Sequence, residues 1–276
     1  MAEQIKDLSK LCIHTITTKP WAIEKSAEEF EKAGVGGISV WRHTLEGRDI
    51  SWTGDMLRSH GLEIVSLVRG GFFPALDSGH RSAAIADNRK AIDEAEALGC
   101  PMVVLVCGAE PRIGLEKSRE QIKAGIDALL PYAEQAHVKL AIEPLHPMYA
   151  DTRSAINTLE QANDMAEFFN SPYVGVAVDV YHLWWDPFLE REVKRCGEND
   201  NLLAFHICDW LNPTVDMLND RGLMGDGVID IKKIRGWVEA AGFDGFNEVE
   251  IFSHKHWAED QQEFLNKIKK AYLQHS

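Results

Sequence analysis

The sequence predicts an α/β chain folded as a single (β/α)8 TIM barrel. Three observations predict it. Eight short apolar, β-branched runs alternate with eight helix-like segments, the pattern of a parallel sheet covered by helices. The length of 276 residues suits one barrel of ~250 residues, so residues 1–276 are expected to form one domain. An open, doubly wound sheet would announce itself by a nucleotide loop, and the chain has no GxGxxG, GxxxxGK[ST], GxSxG or HExxH.

The elements follow in order. LCIHTI from Leu11 precedes a helix over Ala22–Ala33, and GISVW from Gly37 leads to one over Thr53–Ser59. EIVSLV from Glu63 leads to Ser82–Leu98, closed by Gly99 just beyond the last turn. MVVLVC from Met102 precedes Leu115–Gln135. KLAIE from Lys139 precedes Thr152–Phe169, which Asp151 is placed to cap. VGVAVDV from Val174 leads to Pro187–Cys196. LLAFHIC from Leu202 runs into a polar, glycine-rich stretch, 212–227, which reads as a long loop of the kind that carries function. A helix over Ile231–Ala241 follows, ended by Gly242. FNEVEIF from Phe246 is the eighth run, and His256–Tyr272 the last helix.

Four strands in the second half each end in a metal-binding side chain: Glu143, Asp179, His206 and Glu250. Side chains alternate between the faces of a strand. Counting back by two gives Ala141 from Glu143, Ala177 and Gly175 from Asp179, and Ala204 from His206. The opposite faces are bulky: Leu140 and Ile142; Val174, Val176 and Val178; Leu203, Phe205 and Ile207; Val249 and Ile251. One face packs under helices. The other is small and ends in a ligand, which points to a barrel with a metal at its C-terminal mouth.

Two Glu, one Asp and one His form a mixed O/N set. It suits Mn²⁺ best, with Mg²⁺, Co²⁺ or Zn²⁺ as alternatives, and the lack of cysteine at these strand ends disfavours structural zinc. A single such residue is as readily a hydrogen-bonded barrel side chain as a ligand. Four at one depth favour a site. Glu248 shares a face with Glu250. Glu250 is preferred as ligand because it lies nearer the C-terminal end, leaving Glu248 to pair with Lys139 or to support the ligands from below. His146 and His182 each follow an acid by three residues, so each places an imidazole at the rim, to contact substrate or stand in solvent. Arg221, in DRGLMGDG, would clamp an anionic or polyol substrate from a mobile loop, or be a solvated loop charge. His14, Trp41 and Arg69 end strands one, two and three. Trp184, Trp185 and Trp210 stand near the mouth, as sugar-facing wall or as packing. His254 and His256 receive no role.

Composition narrows the function. A net charge of -14 opposes broad binding to nucleic acid. No run of ~18 apolar residues predicts a membrane span, and the N-terminal residues lack the basic-then-apolar pattern of a signal peptide. Five cysteines without a CxxC pair read as reduced, in a cytoplasmic protein.

With these residues on consecutive strands, the chain resembles the sugar phosphate isomerase/epimerase family of the xylose-isomerase-like barrel superfamily. The motifs are IEPLHP, VDVYHLWWDP, FHICDW, DRGLMGDGVID and GFDGFNEVEIF, between about Lys139 and Ser253. The resemblance implies one divalent metal on Glu143, Asp179, His206 and Glu250, substrate contacts from His182 and Arg221, and a small sugar or polyol substrate. It also implies a possible homo-oligomer. The expected chemistry is proton transfer α to a metal-polarised carbonyl, through an enediolate, with Glu143 and Glu250 as acid and base. Loss of a β-hydroxyl after the same step would make a keto-inositol dehydratase. Abasic-site endonucleases of the superfamily resemble the chain at Glu143, Asp179, His182 and His206. They also need an Asp-x-His where this chain has Asp220-Arg221-Gly222, and a histidine where it has Val68-Arg69-Gly70. A non-catalytic sugar-binding barrel is the remaining alternative.

Overall fold

Eight parallel strands close on themselves in the computed structural model, which describes residues 4–276; the N-terminal reading at residues 1–3 lies outside them. The strands are Leu11–His14, Gly37–Trp41, Glu63–Gly71, Met102–Val106, Lys139–Glu143, Val174–Asp179, Leu202–Ile207 and Asn247–Val249. Closure comes from the first strand, which pairs with the second on one side and the eighth on the other. The architecture is a single (β/α)8 TIM barrel.

The alternation read from the sequence sets the two faces. Ala141, Ala177 and Ala204 point inward and meet Val68, Met102 and Val104 in a small cluster on the barrel axis. Leu140, Ile142, Val176, Val178, Phe205 and Ile207 face outward into the large core beneath the helices. All five cysteines are buried and free. Among the described residues no helix is long and apolar enough to cross a membrane.

The helix ends differ where caps compete. Helices two and three start earlier than expected, at Ile50 and Ser78, because Asp49 and Asp77 accept from the backbone of Trp52 and His80. The fifth helix starts later, at Leu159. Thr158 caps it, and residues 152–157 are held by Asn157, which donates to Leu145 O and Ser154 O, so Asp151 is not the cap. The sixth long helix is Leu189–Glu198, not from Pro187. The last splits into His254–Trp257, capped by Ser253, and Gln261–His275, capped by Asp260.

The stretch after strand seven is not a free loop. Asp209–Trp210 pairs antiparallel with Arg221–Gly222. Buried Asp209 accepts from the backbone N–H of Trp210, Gly225, Gly227 and Ile229 at 2.8–3.0 Å. One carboxylate thus pins both ends of the excursion, and Arg221 lies on the pinned ribbon.

Candidate active site

Strand register decides which side chains meet. Asp179 is level with His206, and Glu248 is level with His206 on its other side. Glu250 stands one pleat higher, next to His14. Thr17 fixes that point: its hydroxyl donates to Val249 O and accepts from Ile251 N, both at 3.0 Å, bracketing Glu250.

Glu143, Asp179, His206 and Glu250 converge at the C-terminal mouth. Each offers an atom within 4.8 Å of the others, and all four are buried. Opposed ligands of one ion at about 2.1 Å lie about 4.2 Å apart, so the set needs only a slight contraction to hold one. The hydrogen bonding fits a cation. Glu143 Oε1 and both ring nitrogens of His206 are buried without a hydrogen-bond partner. His206 Nδ1 and Glu143 Oε1 are 2.9 Å apart but out of line for a hydrogen bond. Buried polar atoms left this way are costly unless something else joins them.

A second, lower set is His14, His206 and Glu248. One oxygen of it is fully engaged: Glu248 Oε2 accepts from Ser39 Oγ at 2.6 Å and Ser66 Oγ at 3.0 Å, and lies 3.1 Å from His14 Nε2, while Glu248 Oε1 makes no hydrogen bond. Glu248 therefore lies below the upper set, bonded to Ser39, Ser66 and His14, and among the described residues no salt bridge joins it to Lys139.

The charges reinforce this arrangement. Four buried acids face Arg221 and the two imidazoles. Burial pushes Asp179 up to about 7 against the pull of Arg221. Burial alone would lower His206, but Glu248, Glu143 and Glu250 outweigh it and lift it to about 10. His14 is raised in the same way by Glu250 and Glu248. Burial would raise Glu250, yet His14 and Arg221 hold it well below the usual carboxylate range.

Arg221 is no solvated charge on a mobile loop. It is buried, with Nη1 at 2.9 Å from Glu250 Oε2 and 3.3 Å from Asp179 Oδ2, and its guanidinium lies over the rings of Tyr181 and Phe252. The ribbon held by Asp209 puts it there. His182 also reaches the site. Asp179 Oδ1 caps the short helix Val180–Leu183, accepting from Tyr181 N at 2.7 Å, so the residue three further on turns back over the acid. Burial and Arg221 push His182 well down, keeping it neutral. Its Nε2 is 3.3 Å from Arg221 Nη2, which assigns the ring proton to the unpartnered Nδ1.

His146 goes elsewhere. Its Nδ1 accepts from Met148 N, and its ring packs by Trp185 and Trp210. Trp184 and Trp210 pack against the core, whereas Trp41 lines the pocket. Sequence reasoning assigned no role to Tyr149 or Arg153, placed His14 only as the end of strand one, and left Glu248 as a pair for Lys139 or a support below the ligands. For His14 and Glu248 the available signal was a polar side chain on the inward face. For Tyr149 and Arg153, in the irregular stretch after strand five, there was none. The pocket among Glu143, His182, Arg221 and Glu250 is about 20 Å³, room for an ion or one water.

Comparison with known proteins accords with this fold. The sequence profile described as "xylose isomerase-like TIM barrel" matches residues 27–268. A curated inosose isomerase of Bacillus velezensis is 22% identical over 272 residues, 95% of each chain. A crystal structure of a protein from Sinorhizobium meliloti 1021 is 45% identical, with a TM-score of 0.93 over 96% of this chain and 98% of that one. The IOLI protein, solved with a bound zinc atom, is 22% identical, with a TM-score of 0.83 over 95% of this chain and 96% of that one.

Proposed function

The chain belongs to the xylose isomerase-like TIM barrel family, and on that premise we propose that it is a metal-dependent isomerase or epimerase of a small sugar or related polyhydroxy carbonyl compound. The carrying observation is the convergence of Glu143, Asp179, His206 and Glu250, with Glu143 Oε1 and both His206 nitrogens making no hydrogen bond, His206 Nδ1 and Glu143 Oε1 meeting in a 2.9 Å ion pair instead. These four would hold one divalent ion, Mn²⁺ by preference for this donor set and Mg²⁺, Co²⁺ or Zn²⁺ otherwise. The zinc in the IOLI protein and the inosose isomerase name of the curated relative support the reading.

When bound, the ion would polarise the substrate carbonyl and favour the charge that develops on its oxygen. This chain's residues would do the rest. Glu143 and Glu250, on strand five and at the end of strand eight, flank the pocket. One removes the proton α to the carbonyl, and the other or the same one returns it. Neutral His182 offers Nδ1–H to a substrate hydroxyl. Arg221 donates to a substrate oxygen from the position where it now spans Asp179 and Glu250. Trp41 and Phe252 keep water from one side.

The test is elemental analysis of protein purified without added metal or a histidine tag, followed by assays of ketoses and inososes with the metal found. About one ion per chain and a product of unchanged mass support the reading. Loss of water makes it a dehydratase. Two or three ions per chain with cleavage of abasic DNA move it to the nucleases. No metal, even after Mn²⁺ is added, removes the mechanism.

A further inference from the structure

Two arginines flank the candidate pocket without a salt bridge among the described residues: Arg153 lines the pocket itself, and Arg69 lines the cavity beside it. Arg69, near the end of strand three, is half-buried, its guanidinium 4.2 Å from the centre of the Phe72 ring. Arg153, after strand five, lines the pocket with Glu143, His182 and Arg221. Its backbone is fixed, because its carbonyl accepts from Gly108 N at 2.8 Å. Its guanidinium sits over the Tyr149 ring at 5.7 Å. Among the described residues neither side chain makes a salt bridge or hydrogen bond. Arg42 beside them is held by Asp87 and Glu94, and the acids that act on Arg69, Asp87 and Glu143, form no salt bridge with it.

This is unusual in a chain with 43 acids and 29 basic residues. It is also unfavourable. Burial, then Arg153, then Arg42 pull Arg69 down to about 10. Two like charges held together while partly desolvated cost energy that an anion between them would relieve. Space is available. A cavity of about 370 Å³, lined by Trp41, Arg42, Val68, Arg69, Phe72 and Asp87 among others, adjoins the metal-sized pocket and shares Trp41 and Val68 with it. A sugar cannot fit within about 20 Å³, so its body must extend out of the acid pocket.

We infer that Arg69 and Arg153 form an anion subsite that takes a phosphate or carboxylate carried by the substrate, remote from the reacting carbon. The enzyme then acts on an anionic polyhydroxy carbonyl compound in preference to a neutral one. Planar guanidinium groups suit either anion. The activity part of this inference rests on the proposed isomerase reading. The binding part does not.

The first experiment is calorimetric titration of the full, metal-loaded chain with inorganic phosphate and, separately, with acetate. It is run on wild type, Arg69→Gln and Arg153→Gln, whose metal content is measured alongside. Saturable binding of one anion, weakened about tenfold or more in either variant at unchanged metal content, is expected. Phosphate would identify a phosphoester substrate, and acetate a carboxylate. No saturable binding of either anion, or equal binding in all three proteins, overturns the subsite even if the enzyme proves to be an isomerase. Should Arg69→Gln fail to fold, Arg153→Gln and the charge-preserving Arg69→Lys still decide. The second experiment compares a ketose phosphate, its dephosphorylated parent and the matching keto acid. The variants should raise KM about tenfold or more for the anionic substrate alone, with kcat nearly unchanged. An equal rise for the neutral parent overturns the subsite. Absence of turnover on every sugar would instead count against the isomerase reading, and the titration would stand apart from it.

Discussion

His14 Nδ1 lies 3.1 Å from Glu250 Oε1, and the other nitrogen of the same ring lies 3.1 Å from Glu248 Oε2. One imidazole therefore sets the carboxylate above it from the carboxylate below. Groups that orient metal ligands this way are worth about 10–100-fold in affinity or rate. His14→Asn is expected to lose about that much metal affinity, while Glu248→Gln, which keeps the shape but weakens the hold on His14, should lose less. Titration with Mn²⁺ checks the order. Wild-type affinity in His14→Asn would leave the ring a structural filler only.

Glu143→Gln and Glu250→Gln should each cut kcat by about 10²–10⁴-fold if they handle the proton. The measurement is steady-state turnover at saturating metal. Wild-type rates in both would reject their assignment as acid and base.

A ligand that binds only the folded state stabilises it by about 2.7 kcal/mol at a hundred times its Kd. Thermal melting of wild type should therefore shift upward with Mn²⁺ and return on chelation. The double variant Glu143→Gln/Asp179→Asn should show no shift. A shift of equal size there would place the metal elsewhere.

Among the described residues Arg221 is the arginine that forms salt bridges with the buried acids Asp179 and Glu250, and removing one partner of a buried ion pair costs about 3–5 kcal/mol. Arg221→Gln should lose that much stability in denaturant unfolding of the metal-free protein, and regain part of it with metal, whose charge replaces the guanidinium. Equal loss with and without metal would contradict a shared charge balance.

Asp209→Ala leaves four backbone N–H groups of the ribbon without their acceptor. Each buried orphan costs about 1–3 kcal/mol, less where water can enter. The expected result is faster hydrogen exchange at Gly225, Gly227 and Ile229, with KM raised through a loosened Arg221. Unchanged exchange would show that the ribbon holds itself.

The period-2 pattern made the barrel legible, because Ala141, Ala177 and Ala204 could be counted back from polar strand ends. The convergence of Glu143, Asp179, His206 and Glu250 followed from the same count. Cap choice was less legible, since Asp151 is by residue type a better cap than Thr158 and only the packing of residues 152–157 selects Thr158. Arg221 looked mobile because the stabilising element, Asp209, acts through backbone groups that sequence does not display. His146 and His182 share a spacing, yet only His182 sits on a helix that its own acid caps. His146 follows Pro144 into an extended turn, away from the pocket.

The carboxylate of Glu248 joins residues far apart in the order of synthesis: its contacts reach back 234 positions to His14, 209 to Ser39 and 182 to Ser66. Translation must reach the eighth strand before these partners can meet. Until then the early strands carry a histidine and two serines turned toward an axis that lacks the carboxylate they share. The last strand therefore closes the cylinder and completes its polar interior in one event. A nascent chain stalled before residue 248 would hold seven strands and an unfinished centre.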